Sequence, residues 1–128
     1  MRGLRLFVRP IEATDHSEVE AFFSGKAEIS DGERRPSPAC GLLGKLLGDV
    51  VAVVSLEITD DALRVADVTV ARELRRKWIG RVMMREVEQL AMKMDRRRIV
   101  VEQAGDAQEF FRRVGFQSEG ERWVRVVP

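Results

Sequence analysis

The chain has 128 residues, of which 45% are hydrophobic and 34% charged, and its net charge is only +1. That length reads as one domain over residues 1–128, able to remove roughly two-thirds of its unfolded surface from water, and the composition excludes disorder. No apolar run approaches the roughly 20 residues of a membrane span, the N-terminus lacks the apolar stretch of a signal peptide, and the lone Cys40 excludes an intrachain disulfide, so the cytoplasm is the expected location.

Charge is unevenly spread. Residues 1–64 carry 8 basic and 11 acidic side chains, whereas residues 65–128 carry 14 and 10, with most of the excess at positions 72–81. A pI of 7.9 argues against a nucleic-acid coat and favours a local site for one small anion. One His and one Cys cannot build a usual zinc site.

In chain order, Leu4 to Val8 alternates apolar and basic residues as a strand with one solvated face, closed by Pro10. Thr14-Asp15-His16-Ser17 offers N-cap residues for a helix with Val19, Phe22 and Phe23 at helical spacing, and Gly25 stops it. Residues 26–38 read as a polar loop. Cys40 to Leu47 and Val50 to Ile58 read as strands joined at Gly48-Asp49, and Leu63 to Val70 follows the turn Thr59-Asp60-Asp61 as the third strand of an antiparallel meander. The next helix, starting after Gly80, places Val82, Met83, Val87, Leu90, Ala91 and Met94 on one face. Met84 and Met92 are read as packing residues too. Arg96-Arg97-Arg98 caps its C-terminal end, where the dipole favours cations. Ile99 to Glu102 is a short buried strand, and Ala107 to Val114 a second amphipathic helix stopped by Gly115. Phe116 opens a last hairpin-like segment that ends in Trp123 to Val127. Strand–helix–strand from Leu63 to Val101 requires a parallel pair with a crossover helix. The expected fold is therefore α/β (α+β), a mixed, mostly antiparallel sheet flanked by helices. The last strand, Arg122 to Val127, is expected to expose an edge that a second copy could pair with, giving a homodimer.

The segment from Val70 to Met84 carries the chemistry. It reads as a strand end, a basic turn and the start of a helix, with Arg72, Arg75, Arg76, Lys77 and Arg81 opposed only by Glu73. A helix N-terminus presents unpaired backbone N–H groups to one point, and the dipole adds to their field. Together with the cations this is the physics of a phosphate or pyrophosphate cradle. The run Arg96-Arg97-Arg98 has no interleaved aromatics and reads as a solvated helix end, not a nucleic-acid contact.

This order of elements, with Arg75-Arg-Lys-Trp78-Ile-Gly80 following Val70 and Ala107-Gln-Glu-Phe-Phe-Arg-Arg-Val-Gly-Phe116 further on, resembles the GNAT superfamily of N-acetyltransferases. The first segment is similar to that family's pyrophosphate motif, Gln/Arg-x-x-Gly-x-Gly/Ala, and the second to its Ala-x-x-Phe-Tyr-x-x-x-Gly-Phe element. The resemblance implies a splayed parallel strand pair and acetyl-CoA as cosubstrate. It further implies that backbone N–H groups over Arg75, Arg76, Lys77, Trp78, Ile79, Gly80 and Arg81 hold the pyrophosphate. The thioester would lie beside Val68 and Val70, with a nearby N–H polarising its carbonyl, and the partners would be an acyl-CoA and an amine.

Two positions depart from the pattern. Trp78 stands where the motif has its first glycine, so its indole either turns outward, stacking on the cofactor, or blocks the site. Phe111 stands where the family often has an acidic tyrosine, and the chain has no Tyr at all. A leaving thiol with a pKa of about 8.5 does not strictly require an acid. Asp67, on the strand beside the expected thioester, is the candidate general base, weighed against an ordinary strand carboxylate. Glu102 is the next candidate. Three readings follow: an N-acetyltransferase, a degenerate acyl-CoA-binding or regulatory module of the same fold, and, more weakly, a nucleic-acid-associated protein using the basic turn.

Overall fold

The computed structural model describes residues 6–25, 38–74, 78–102 and 104–127. The segment 26–37 of the expected loop, Leu4 at the expected start of the first strand, and the turn residues Arg75, Arg76 and Lys77 lie outside the described residues.

The described residues form one seven-stranded sheet in the order β1-β2-β3-β4-β5-β7-β6. Its strands are β1 (Leu6–Pro10), β2 (Gly41–Leu46), β3 (Asp49–Ile58), β4 (Ala62–Val70), β5 (Arg98–Val101), β6 (Gln117–Glu119) and β7 (Arg122–Val126). The helices are α1 (His16–Gly25), α2 (Ile79–Lys93) and α3 (Gln108–Arg113). All neighbours are antiparallel except β4 and β5, which run parallel and pair only at Ala62↔Arg98, Leu63↔Ile99 and Arg64↔Val100. A bulge between Ser55 and Leu56 in the β3–β4 register bends β4 just beyond that point. The result is a mixed α/β sheet with a splayed parallel pair, as expected.

Alternation along the strands assigns the faces. A Cβ on Gly44 would lie 2.9 Å from the Met83 sulfur, so that face of β2 lies under α2. Lys45, the next residue, points to the other face and pairs with Glu18 of α1 at 3.1 Å. On β7, Arg125 pairs with Glu88 of α2 at 3.1 Å, and Trp123 lies under the Arg112 guanidinium of α3 at 5.5 Å. Helix α1 therefore covers one face, and α2 and α3 the other. The core joins Val19, Phe22 and Phe23 of α1 to the β2–β4 valines and leucines, and Ile79, Met83, Met84, Val87 and Ala91 of α2 to Phe111, Phe116 and Trp123.

Pro10 closes the first strand as expected, as its last residue opposite Leu42; β1 is an edge strand, where a missing N–H costs no ladder bond. Several expectations need correction. The β2–β3 turn is Leu47-Gly48, at φ 53° and 86°, and not Gly48-Asp49, because Leu46 pairs with Asp49. Helix α2 begins at Ile79, ahead of Gly80. Met84 is buried, whereas Val82, Leu90 and Met94 are half-buried and Met92 is exposed, so Met92 is not a packing residue. Of the three arginines after α2, Arg96 caps the helix by donating to the Met94 carbonyl at 2.7 Å, while Arg98 belongs to β5. The last strand is not an edge along Arg122–Val124, where β6 covers it; among the described residues of β7 only Arg125 and Val126 lack a partner strand on that side, so the expected edge is much shorter than Arg122 to Val127.

Candidate active site at the β4–α2 turn

The end of β4 is held on one side only. The Ala71 N–H donates to the Val51 carbonyl of β3 at 2.7 Å. Strand alternation then sends the Val70 and Val68 N–H groups the other way, toward β5. There the parallel pairing has already stopped at Arg64 and Val100. The splay thus leaves backbone donors of β4 facing a gap between two strands. A 3-10 turn, Arg72–Leu74, follows, closed by the Leu74 N–H on the Ala71 carbonyl at 2.9 Å.

The chain re-enters the described residues at Trp78, the N-cap of α2, which makes no side-chain cap. The first bond within the helix is from Val82 N–H to the Trp78 carbonyl, 3.0 Å. Helix geometry therefore leaves the N–H groups of Ile79, Gly80 and Arg81 without an intrahelical acceptor. A protein helix usually answers this with an acid in the first turn. Here the first turn has none, and Arg81 is exposed in it. A cation at the positive end of a 15-residue helix is the wrong sign for stability and the right sign for an anionic ligand.

The other expected site residues sort as follows. Trp78 is 45% exposed, at the N-cap of α2. Ile79 is buried and anchors the helix start in the core. Gly80 has a packing reason for lacking a side chain: a Cβ would lie 3.0 Å from Cε1 of Phe110. Asp67 is half-buried and accepts the Thr69 hydroxyl on Oδ2 at 2.6 Å. The β3–β4 register puts Asp67, opposite Ser55, on the other face from Val68. Glu102 is exposed just past β5. Cys40 is a free, half-buried thiol beside β2. Phe111 is buried edge-to-face between Phe110 and Phe116, at centroid distances of 5.1 and 5.3 Å. No titratable proton occupies that position. Among the described residues no His, Cys, Asp or Glu group is placed to hold a metal, and no helix is long and apolar enough to cross a membrane.

A strand that opens onto a basic, uncapped helix is the arrangement against which relatives can be judged. The sequence model of the acetyltransferase (GNAT) family matches residues 6–116. The chain belongs to the GNAT acetyltransferase family. Solved structures agree on the fold. The ribosomal-protein-S18-alanine N-acetyltransferase of Escherichia coli superposes with a TM-score of 0.78 at 12% identity, over 96% of this chain and 94% of that one. A GNAT family N-acetyltransferase from Escherichia coli, solved in complex with CoA, gives 0.76 at 17% identity, over 100% and 84%. A GNAT acetyltransferase from Brucella melitensis, solved with acetyl-CoA, gives 0.72 at 16%, over 97% and 89%. A search of curated proteins gives no match.

Sequence reasoning about this GNAT chain missed three participants. Thr69, buried beneath Asp67, carries a strand signal only. Phe110, which explains Gly80, is non-local. The third is Arg85 with Arg113 and Arg125: Arg85 stands one helical turn from the expected Arg81, a like-charge spacing visible in the sequence, but Arg113 and Arg125 come from other elements.

Proposed function

We propose that this GNAT chain is an acetyl-CoA-dependent N-acetyltransferase that transfers an acetyl group to a primary amine of a small molecule or protein. It acts in the cytoplasm as one domain over residues 1–128. The observation that carries the reading is the uncapped, acid-free N-terminus of α2, with Arg81 in its first turn, the next helix in the chain after the strand whose N–H groups face the β4–β5 gap and its Arg72–Leu74 turn. The N–H groups of Ile79, Gly80 and Arg81, with Arg75, Arg76 and Lys77 supplying charge, take the pyrophosphate. The Val68 and Val70 backbone flanks the thioester, and the Val70 N–H polarises its carbonyl oxygen. The amine gives up a proton to Asp67, directly or through water, and attacks the carbonyl carbon. The C–N bond forms, the C–S bond breaks, and the thiolate leaves and is protonated by solvent. Catalysis rests on positioning and backbone electrostatics, since no tyrosine exists to act as acid.

A second reading, a non-catalytic acyl-CoA-binding or regulatory module, is favoured by the buried Phe111 in the acid position and by Trp78 in the glycine position. Calorimetric titration with acetyl-CoA, followed by an amine screen read by thiol release, separates the two. Micromolar binding with turnover supports the enzyme. Binding without turnover on any amine supports the module. No binding at millimolar acetyl-CoA overturns both.

A further inference from the structure

Helix α2 lines a groove of about 380 Å³ with Arg81, Arg85 and Glu88, facing Arg113 at the end of α3 and Arg125 on β7. The floor is fixed. The Arg125 Nη2 lies 3.1 Å from Glu88 Oε1, and Nη1 donates to the Val114 carbonyl at 3.0 Å. Its Nε is buried without a partner. Gly115 makes room for this guanidinium: at φ 100° it lacks the Cβ that would lie 1.6 Å from Nη1. Glu88, the one carboxylate lining the groove among the described residues, is therefore committed to the floor.

The rim is a different matter. Arg81, Arg85 and Arg113 are exposed, and none has an ion-pair partner among the described residues. Arg81 and Arg85 stand at i and i+4, where like charges destabilise a helix, and Arg81 also opposes the dipole. Local rules broken together at one place point to a site whose ligand compensates them. Guanidinium groups recognise phosphate through paired N–H bonds. Three such groups around one small groove suit a dianion with three terminal oxygens better than a single carboxylate. Among the described residues no aromatic side chain lines the groove to stack a base, which disfavours an extended nucleic acid.

We infer that this groove is a second anion site, separate from the free N–H groups of α2, and that it binds a phosphate monoester. The phosphate belongs either to the cosubstrate, since CoA carries one on its ribose 3′ oxygen, or to a separate phosphorylated small molecule. The first source rests on the acyl-CoA reading above; the second does not.

The probes are inorganic phosphate, CoA and 3′-dephospho-CoA, each titrated into the wild-type chain and into Arg85→Ala, Arg113→Ala and the double variant. Chloride at matched ionic strength is the blank. Phosphate is expected to raise the wild-type Tm by mass action, and each alanine to weaken its binding about tenfold. In chloride alone Arg85→Ala should be no less stable than wild type, because a like-charge pair is relieved. If an alanine variant fails to fold, Arg85→Lys and Arg113→Lys keep the charge but lose the fork, and phosphate should still weaken. A wild-type preference for CoA over 3′-dephospho-CoA that disappears in the double variant assigns the groove to the cosubstrate. Phosphate binding with equal affinity for the two nucleotides, or with no affinity for either, assigns it to a separate ligand, and in the last case the acyl-CoA reading falls while the groove stands. Absence of any phosphate effect together with equal nucleotide affinities overturns the inference. So does a phosphate effect that survives intact in the double variant.

Discussion

The Cα of Gly80 faces the ring of Phe110, and an added Cβ would lie 3.0 Å from Cε1 and 3.2 Å from Cζ. The glycine therefore sets how closely α2 approaches α3, whatever its backbone N–H binds. Phe110 is half-buried, so its ring can yield a few tenths of an ångström to one methyl. Gly80→Ala gains about 1 kcal/mol of helix propensity, which offsets that crowding, and should leave stability nearly unchanged. Gly80→Leu brings the same propensity with a side chain that cannot fit, and should cost about 1–3 kcal/mol. Urea unfolding of the two variants checks this; equal stability of the leucine and alanine variants would remove the packing role.

A second close approach joins α3 to β7. Gly115, at φ 100°, leaves room for the Arg125 guanidinium, which bonds Glu88 and the Val114 carbonyl. Gly115→Ala adds left-handed strain and evicts the guanidinium, so a loss of about 2–4 kcal/mol is expected. Arg125→Ala vacates that space. The double variant should then lose clearly less than the two single losses added together. Strict additivity in chemical denaturation would show that the contact does not limit this position.

These two glycines show why part of the site was legible in the sequence and part was not. Helix α2 declares itself through Met83, Val87 and Ala91, and the basic turn through its density of charge, because both signals are local. Gly80 and Gly115 look alike in a sequence, and only Phe110 and Arg125, from other elements, explain them. The last strand fails for a related reason. Alternation in Arg122 to Val126 is satisfied whether β7 is an edge or an interior strand, and its pairing with β5 at Val101↔Trp123 is a non-local choice. The turn at Leu47-Gly48 was misplaced by one residue because leucine at φ 53° contradicts propensity; the Leu46↔Asp49 register overrides it. The direction of the Val68 and Val70 N–H groups likewise follows from a register that composition does not encode.

The approach to α1 carries a pH dependence. Arg9 of β1 donates from Nη1 and Nη2 to the two Asp15 oxygens at 2.6 and 2.7 Å, and the Glu12 N–H donates to Oδ2 at 2.8 Å. The Arg9 guanidinium first, and the Glu12 N–H second, hold the buried Asp15 carboxyl well below its ordinary value. Because the folded pKa is depressed, the stabilisation is fully present above the unfolded value of about 3.9 and is lost as pH falls below it. Asp15→Ala should cost about 1–3 kcal/mol at pH 7, and its difference from wild type should shrink steadily below about pH 4. A difference that stays constant down to pH 2.5 in denaturant titrations would detach the carboxylate from this role.

Trp78 offers a test of the cradle itself. Its indole is 45% exposed and sits at the N-cap of α2 without a side-chain cap. Glycine is an acceptable N-cap, so Trp78→Gly should change stability by less than about 1 kcal/mol. A half-exposed indole beside the free N–H groups offers a face for stacking. Acetyl-CoA affinity is therefore expected to fall about tenfold in Trp78→Gly, in line with the loss of one stacking contact. A gain in affinity would mean that the indole closes the site in solution.

Asp67 is the one carboxylate on β4 next to the strand residues that flank the proposed thioester. Its Oδ2 is held by the Thr69 hydroxyl at 2.6 Å, a bond that an asparagine oxygen can also accept. Asp67→Asn should therefore fold normally while losing the ability to take a proton from the amine. General-base assistance is worth about 10²–10⁴ in rate, so kcat should fall about 100-fold with acetyl-CoA affinity unchanged. The deficit should also narrow as pH rises and more of the amine arrives already deprotonated, a trend that damage to packing would not produce. Thr69→Val keeps the shape of the buried strand residue but removes the hydroxyl that bonds Oδ2, and should alter kcat by much less than the asparagine. A full-rate Asp67→Asn enzyme would return Asp67 to the status of a strand carboxylate and leave the amine to lose its proton to water.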